Sequence, residues 1–213
     1  MSALASRRPA VWLRPLLRHR LAKPLVFGSS LLPFCWLLYG AIFDQLGANP
    51  AEALVRATGD WTLRFLCLVL TVTPLRVISN TPALASFRRM LGLFVYFYVA
   101  MHLLSYSWFD MGFDVTEIGR DIAKRPFILV GFSAFVLLTA LALTSFNRAI
   151  KTLGAKRWQR LHRLVYIVAG LALLHFFWMR AGKNDFAEVL VYALILGLLL
   201  GWRLVNFINK TRR

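Results

Sequence analysis

The sequence predicts an all-α integral membrane protein, a bundle of six transmembrane helices. Three observations lead there. The 213 residues are 59% hydrophobic with a mean hydropathy of +0.61, too apolar for a water-soluble domain. The apolar residues gather into six runs, each close to the roughly 20 residues a spanning helix requires. The charges segregate between alternate connections, basic on one side and acidic on the other.

The first run, Pro24–Phe43, follows a basic tail, Met1–Lys23, with no small-residue cleavage site, and is expected to be an uncleaved first helix rather than a secretory signal. The second, Trp61–Ser79, is the shortest. Its uncharged stretch runs only from Phe65 to Leu75, flanked by Arg64 and Arg76, which can snorkel outward, and Thr73-Pro74 should kink its inner end. Met90–Phe109, Pro126–Phe146, Leu161–Met179 and Phe186–Phe207 complete the set. Trp61, Trp108, Trp158 and Trp178 mark run ends, as interfacial aromatics do.

Length leaves the second run open, and charge decides it. With six spans the connection Asn147–Arg160, which holds five basic residues and no acid, joins the basic N-terminal tail, Arg76, Arg88, Arg89 and the tail Lys210, Arg212, Arg213 on the cytoplasmic side. Asp44, Glu52, Asp60, Asp110, Asp114, Glu117, Asp121, Asp185 and Glu188 then all face outward. The expected plan is a cytoplasmic tail over residues 1–23, a transmembrane domain over 24–208 and a cytoplasmic tail over 209–213, with both termini cytoplasmic. Single cysteines placed in a background lacking Cys35 and Cys67 test it. An impermeant thiol reagent added outside should label positions in Asp110–Arg125 and spare those in Asn147–Arg160; the reverse pattern overturns the topology.

The net charge of +17 would suggest nucleic acid in a soluble protein, but its distribution follows membrane topology, so a nucleic-acid partner is excluded and lipid is the expected surroundings. Cys35 and Cys67 lie inside apolar runs without paired spacing and imply no disulfide. No connection exceeds about 20 residues, and no GxGxxG or phosphate-loop pattern occurs, so a nicotinamide donor would need a separate protein.

Four histidines carry the chemical signal. His19 lies in the basic tail and reads as solvated. His102 lies within the third run, and His162 and His175 within the fifth. A histidine in a spanning helix points to a function by default, against the alternative of a hydrogen bond to a neighbouring helix. Both relevant runs start on the inner side, and His102 and His175 lie about 18–21 Å along them. Two neutral imidazoles at one depth on separate helices suit the axial positions of a haem iron.

His162 precedes His175 by thirteen residues, and Arg88 precedes His102 by fourteen. Fourteen residues return to within roughly 40° of the same face, placing Arg88 beneath His102. Thirteen miss it by about 140°, so an inner haem on His162 would need a bulge, a kink or a differently turned plane. A guanidinium is a poor iron ligand and a good partner for haem propionates, so Arg88 is assigned to cofactor binding. Arg89, Arg160 and Arg163 could act likewise or serve as flank anchors. A shared zinc site is excluded, because the three histidines spread over about 20 Å of depth. Proton relay and ion-coupled transport lack an acid in mid-span.

The stretches Gly59-Asp60-Trp61-Thr62-Leu63-Arg64, Val72-Thr73-Pro74-Leu75-Arg76, Arg88-Arg89-Met90-Leu91-Gly92-Leu93 and Leu153-Gly154-Ala155-Lys156-Arg157-Trp158-Gln159-Arg160-Leu161-His162-Arg163-Leu164-Val165-Tyr166, with His102 and His175, resemble the MsrQ (YedZ) family. These are haem-binding membrane subunits of bacterial MsrPQ methionine sulfoxide reductase systems. More distantly the chain is similar to the ferric reductase-like transmembrane domains of ferric reductases and NADPH oxidases. The resemblance implies b-type haem, FMN, and the quinone pool or a cytoplasmic flavin reductase as donor. It also implies a periplasmic molybdenum enzyme, MsrP, as acceptor. The oxidase-type domains carry two histidine pairs, and this chain has Arg88 in place of one histidine. One or two haems are expected, with His102, His175 and His162 as iron ligands. Two alternatives stand beside this electron-transfer subunit. One is a stand-alone transmembrane haem reductase of a metal ion or oxygen. The other is a cofactor-free structural or transport protein.

Overall fold

The computed structural model describes residues 13–182 and 184–211. Residues 1–12 of the basic N-terminal tail, and Arg212 and Arg213 of the C-terminal one, lie outside the described residues. The described chain is helical throughout: α1 (Leu13–Arg18), α2 (Ala22–Ile42), α3 (Pro50–Ile78), a 3₁₀ turn (Pro82–Phe87), α4 (Arg88–Ser105), a π-helical turn (Tyr106–Asp110), α5 (Val115–Lys124), α6 (Pro126–Leu143), α7 (Asn147–His162), α8 (Val165–Ala181) and α9 (Ala187–Thr211). Six segments are long and apolar enough to span a membrane: Ala22–Ile42, Pro50–Ile78, Pro82–Asp110, Pro126–Leu143, Asn147–Ala181 and Ala187–Asn209. They coincide in order and number with the six predicted runs, and the protein is a multi-pass membrane protein.

Three stretches expected as connections are helical. α3 begins at Pro50, well before Trp61, because Asn49 accepts the Glu52 N–H, Pro50 occupies the first turn and Glu52 adds an acid there. Glu52, Arg56 and Asp60 are therefore helical residues at the acidic end. Asp114 caps α5 by accepting from the Thr116 and Glu117 N–H groups. Asn147–Arg160 forms most of α7, bent where Gly154 adopts φ 73° and ψ 154°, a backbone region that favours glycine.

α3 runs along α4, α6 along α8, and α4 against α6, with α9 closing the side of α3 and α8. The shared core is built from Leu63, Leu66 and Leu70 of α3, Val95 and Tyr98 of α4, Leu138 of α6 and Val168 of α8. Phe65 stacks on Tyr98 at 5.0 Å between centroids and on Phe94 at 5.6 Å, which fixes the α3–α4 register. Away from this core α9 exposes Leu190, Leu194 and Leu198, one stripe at four-residue spacing. Such a stripe is costly in water and natural against lipid tails.

Candidate functional site

Among the described residues no group of three or more His, Cys, Asp or Glu is placed to hold a metal ion. Two histidines are nevertheless arranged as a pair. His102 on α4 and His175 on α8 face each other with ring centroids 6.2 Å apart and planes at 76°. His102 Nδ1 donates to the Val55 carbonyl at 2.8 Å, and His175 Nδ1 donates to the Phe127 carbonyl at 2.7 Å. A carbonyl only accepts, so Nδ1 carries the proton in both rings and Nε2 keeps its lone pair. This is how metal-binding histidines are usually oriented. A metal–imidazole bond is about 2.0 Å and a ring centroid lies about 1.1 Å behind its nitrogen, so two rings on opposite sides of one ion stand about 6.2–6.4 Å apart. The observed pair fits a single iron held by both.

The same local device seats each ring. In a helix the Val55 carbonyl is directed at residue 59 and the Phe127 carbonyl at residue 131, and both of those residues are glycine. A Cβ on Gly59 would lie 3.1 Å from His102 Cε1, and one on Gly131 would lie 2.8 Å from His175 Nδ1. The missing side chains let each imidazole lie flat on the facing helix and reach a carbonyl already engaged within it. Sequence reasoning missed Gly59 and Gly131. For Gly131 the available signal was a glycine inside the predicted run Pro126–Phe146, where a close approach is a common reason for one; Gly59 precedes the run Trp61–Ser79 and gave no such signal.

The pair opens on a cavity of about 290 Å³. Its deep walls are apolar, including Leu66, Ala134, Leu138 and Val168. Its charged residues, Arg56, Asp60, Asp110, Arg125 and Arg180, belong to the acidic end. Three of the arginines are held by acids: Arg56 by Glu52, Arg125 by Asp121, and Arg180 by Asp185 at 3.2 Å and Glu188 at 2.5 Å. Tyr106 donates to Asp121 at 2.5 Å, tying the π-helical turn to α5. Partial burial pushes the Asp121 carboxyl up, but its hydrogen bonds with Arg125 and Tyr106 outweigh that and hold it below its usual value.

A second cavity of about 200 Å³ lies toward the basic end, and Leu66 and Leu138 line both cavities. Arg88 and His162 line this second one together, with Arg89 and Trp158. Arg89 donates to Asn147 Oδ1 at 2.6 Å; Arg160 and Arg163 are absent from the lining. The thirteen-residue step from His162 to His175 is not a continuous helix. α7 ends at His162, and Arg163 and Leu164 form a turn whose N–H groups reach back three residues, to Arg160 and Leu161, before α8 begins. That break is what the periodicity required for both side chains to turn inward.

His162 is nonetheless held differently from the other pair. Its Nε2 lies 3.2 Å from Thr144 Oγ1, and its ring stacks on Trp158 at 3.9 Å. Thr144 already donates its one hydroxyl proton to the Ala140 carbonyl at 2.7 Å. The hydroxyl can keep that bond and accept from Nε2, or turn its proton to Nε2, so the Thr144 contact is compatible with either tautomer of His162. The Arg88 guanidinium in the same cavity offers no lone pair, so the lining supplies a single imidazole. His19, in the tail, accepts from the Leu21 N–H at 3.2 Å in an exposed position.

Six spans with a histidine pair joining the third and the fifth define a membrane protein of the ferric reductase-like class, and the family described as "Ferric reductase like transmembrane component" matches residues 58–173. A protein from Polaromonas naphthalenivorans (strain CJ2) is 77% identical over 197 residues, covering 92% of this chain and 90% of its own length. Relatives from Herminiimonas arsenicoxydans and Bordetella pertussis (strain Tohama I / ATCC BAA-589 / NCTC 13251) are 54% and 52% identical, covering 84% and 85% of this chain and 83% and 87% of their own. All three are named protein-methionine-sulfoxide reductase heme-binding subunit MsrQ. The chain belongs to the MsrQ family. No solved structure matches it significantly.

Proposed function

We propose that this chain binds one b-type haem between His102 and His175 and carries electrons across the membrane to a methionine sulfoxide reductase partner at its acidic face. The observation behind this is the pair itself: two imidazoles, each anchored through Nδ1, with ring centroids 6.2 Å apart on facing helices. A haem there supplies a one-electron carrier, its iron passing between the ferric and ferrous states. The protein's part would be to hold the group with His102 and His175, to strengthen both imidazoles as donors through the carbonyls behind them, and to keep water out with apolar walls.

The direction of transfer rests on the charge pattern and on the family. The basic end is taken as cytoplasmic, in the bacterial inner membrane, with both termini there. The acceptor is taken as the periplasmic molybdenum enzyme MsrP, which repairs oxidised periplasmic proteins. The donor is the quinone pool or a cytoplasmic flavin reductase. The second cavity is read as a site without haem, since its lining supplies one imidazole, His162, and Arg88 cannot complete a pair. Arg88 then acts there as an uncoordinated cation, and FMN remains a cofactor implied by the family resemblance alone.

Oxidised and dithionite-reduced visible spectra of the detergent-purified protein test this first. One low-spin b-type haem per chain is expected, reoxidised by purified MsrP. A fully folded preparation without haem eliminates the reading. Rapid reoxidation by ferric chelates or oxygen but not by MsrP would favour a stand-alone reductase.

A further inference from the structure

Two prolines interrupt spanning helices, and a side chain from another helix answers each. Pro33 lies inside α2 and Pro74 inside α3. A proline within a helix offers no N–H to the carbonyl four residues back, and its ring forces the neighbouring turn open. Lipid supplies no water to replace the lost bond, so another protein group has to.

At Pro33 the carbonyl that loses its N–H is that of Ser29, and the next pair along, the Ser30 carbonyl and the Phe34 N–H, lies at the turn that the proline ring crowds. The Tyr98 hydroxyl of α4 stands between them. It accepts from the Phe34 N–H at 3.2 Å and donates to the Ser30 carbonyl at 2.8 Å. Tyr98 has no exposed surface, so this hydroxyl has no solvent alternative.

At Pro74 the orphan is the Leu70 carbonyl. Arg203 of α9 donates to it through Nη2, and through Nη1 to the Leu199 carbonyl of its own helix at 2.8 Å. Its guanidinium carbon lies 5.7 Å from the Tyr166 ring centroid. Arg203 is thus a charge inside the sixth span, met by two carbonyl dipoles and a ring face rather than a carboxylate.

We propose that Tyr98 and Arg203 are positioning residues, each supplying across the bundle a hydrogen bond at the turn that a proline opens, and thereby fixing the depth of the helices that seat His102. Tyr98 lies one turn before His102 on α4. Arg203 grips α3, whose outer turns hold Val55 and Gly59 against His102 and whose Leu66 lines both cavities. Pro33 and Pro74 are the openings that let a side chain from a different helix set this register.

Two double-mutant cycles on the full chain in detergent test the proposal. Unfolding by added dodecyl sulfate, followed by circular dichroism, gives a readout independent of any cofactor. Tyr98→Phe should lower the folding equilibrium constant by about threefold to a hundredfold. With Pro33→Ala the helix recloses Ser30 onto Phe34, and the same change should cost less than about twofold. Arg203→Met should behave in the same way against Pro74→Ala, and Arg203→Gln, which keeps an amide donor, should recover part of the loss. Equal costs with and without the proline overturn the proposal, as does no cost in the native background. A variant that folds only when its proline is removed supports it, and one that fails in both backgrounds refutes it.

Discussion

Replacing His102 or His175 by alanine is expected to abolish the low-spin haem spectrum and to lower retained haem by at least the 10–100-fold, roughly, that losing an outer-shell partner costs a metal site. The two imidazoles come from different helices and each has its Nδ1 committed to a carbonyl, so neither can substitute for the other. Among the described residues no third His, Cys, Asp or Glu is placed to take over. His162→Ala is the control. It removes a ring that lies outside the His102–His175 pair and contacts Thr144 through Nε2, and the low-spin signal should persist unchanged. Low-spin haem surviving in both His102→Ala and His175→Ala, or disappearing only in His162→Ala, would place the ligands elsewhere.

Gly131→Val should be nearly as damaging without touching a ligand. A Cβ at that position meets His175 Nδ1 at 2.8 Å and Cε1 at 2.9 Å, so even alanine must displace the ring from the Phe127 carbonyl. Overpacking of this kind costs about 1–3 kcal/mol, and here it falls on the atom that orients the ligand. Gly59 leaves slightly more room, 3.1 Å to His102 Cε1, so Gly59→Ala should be milder than Gly131→Ala. Haem stoichiometry and the low-spin fraction of the four variants, including Gly59→Val, check the order. Full loading with an unshifted spectrum in Gly131→Val would show that the imidazole does not lie on that glycine.

The sequence was legible where a strong physical constraint acts along the chain itself. Lipid demands about 20 apolar residues per crossing, and that demand wrote six runs into the composition. Even the doubtful second run was settled by charge, and it forms the long helix α3. Helix limits were read less well. The early start of α3 depends on a capping arrangement at Asn49 and Pro50, and α7 is a helix of polar residues that hydropathy does not mark. Equal depth for His102 and His175 followed from counting residues at a fixed rise, which needs no knowledge of packing.

What the sequence by itself determined, then, is how many times the chain crosses, which ends share a side, and which two histidines lie at one depth. Those properties are additive along the chain: hydropathy, charge and a rise of 1.5 Å per residue. Only the tertiary structure decided what each histidine can bind. His102 and His175 are bound through Nδ1 because Val55 and Phe127 on other helices present carbonyls beside glycines, while His162 meets through Nε2 the Thr144 hydroxyl, a group that can donate or accept. Only there, too, did Tyr98 and Arg203 stand out, one an aromatic among many and the other a cation near the end of the last span. A proton's position and an orphaned carbonyl are set by partners tens of residues away, and no local pattern in one chain records them.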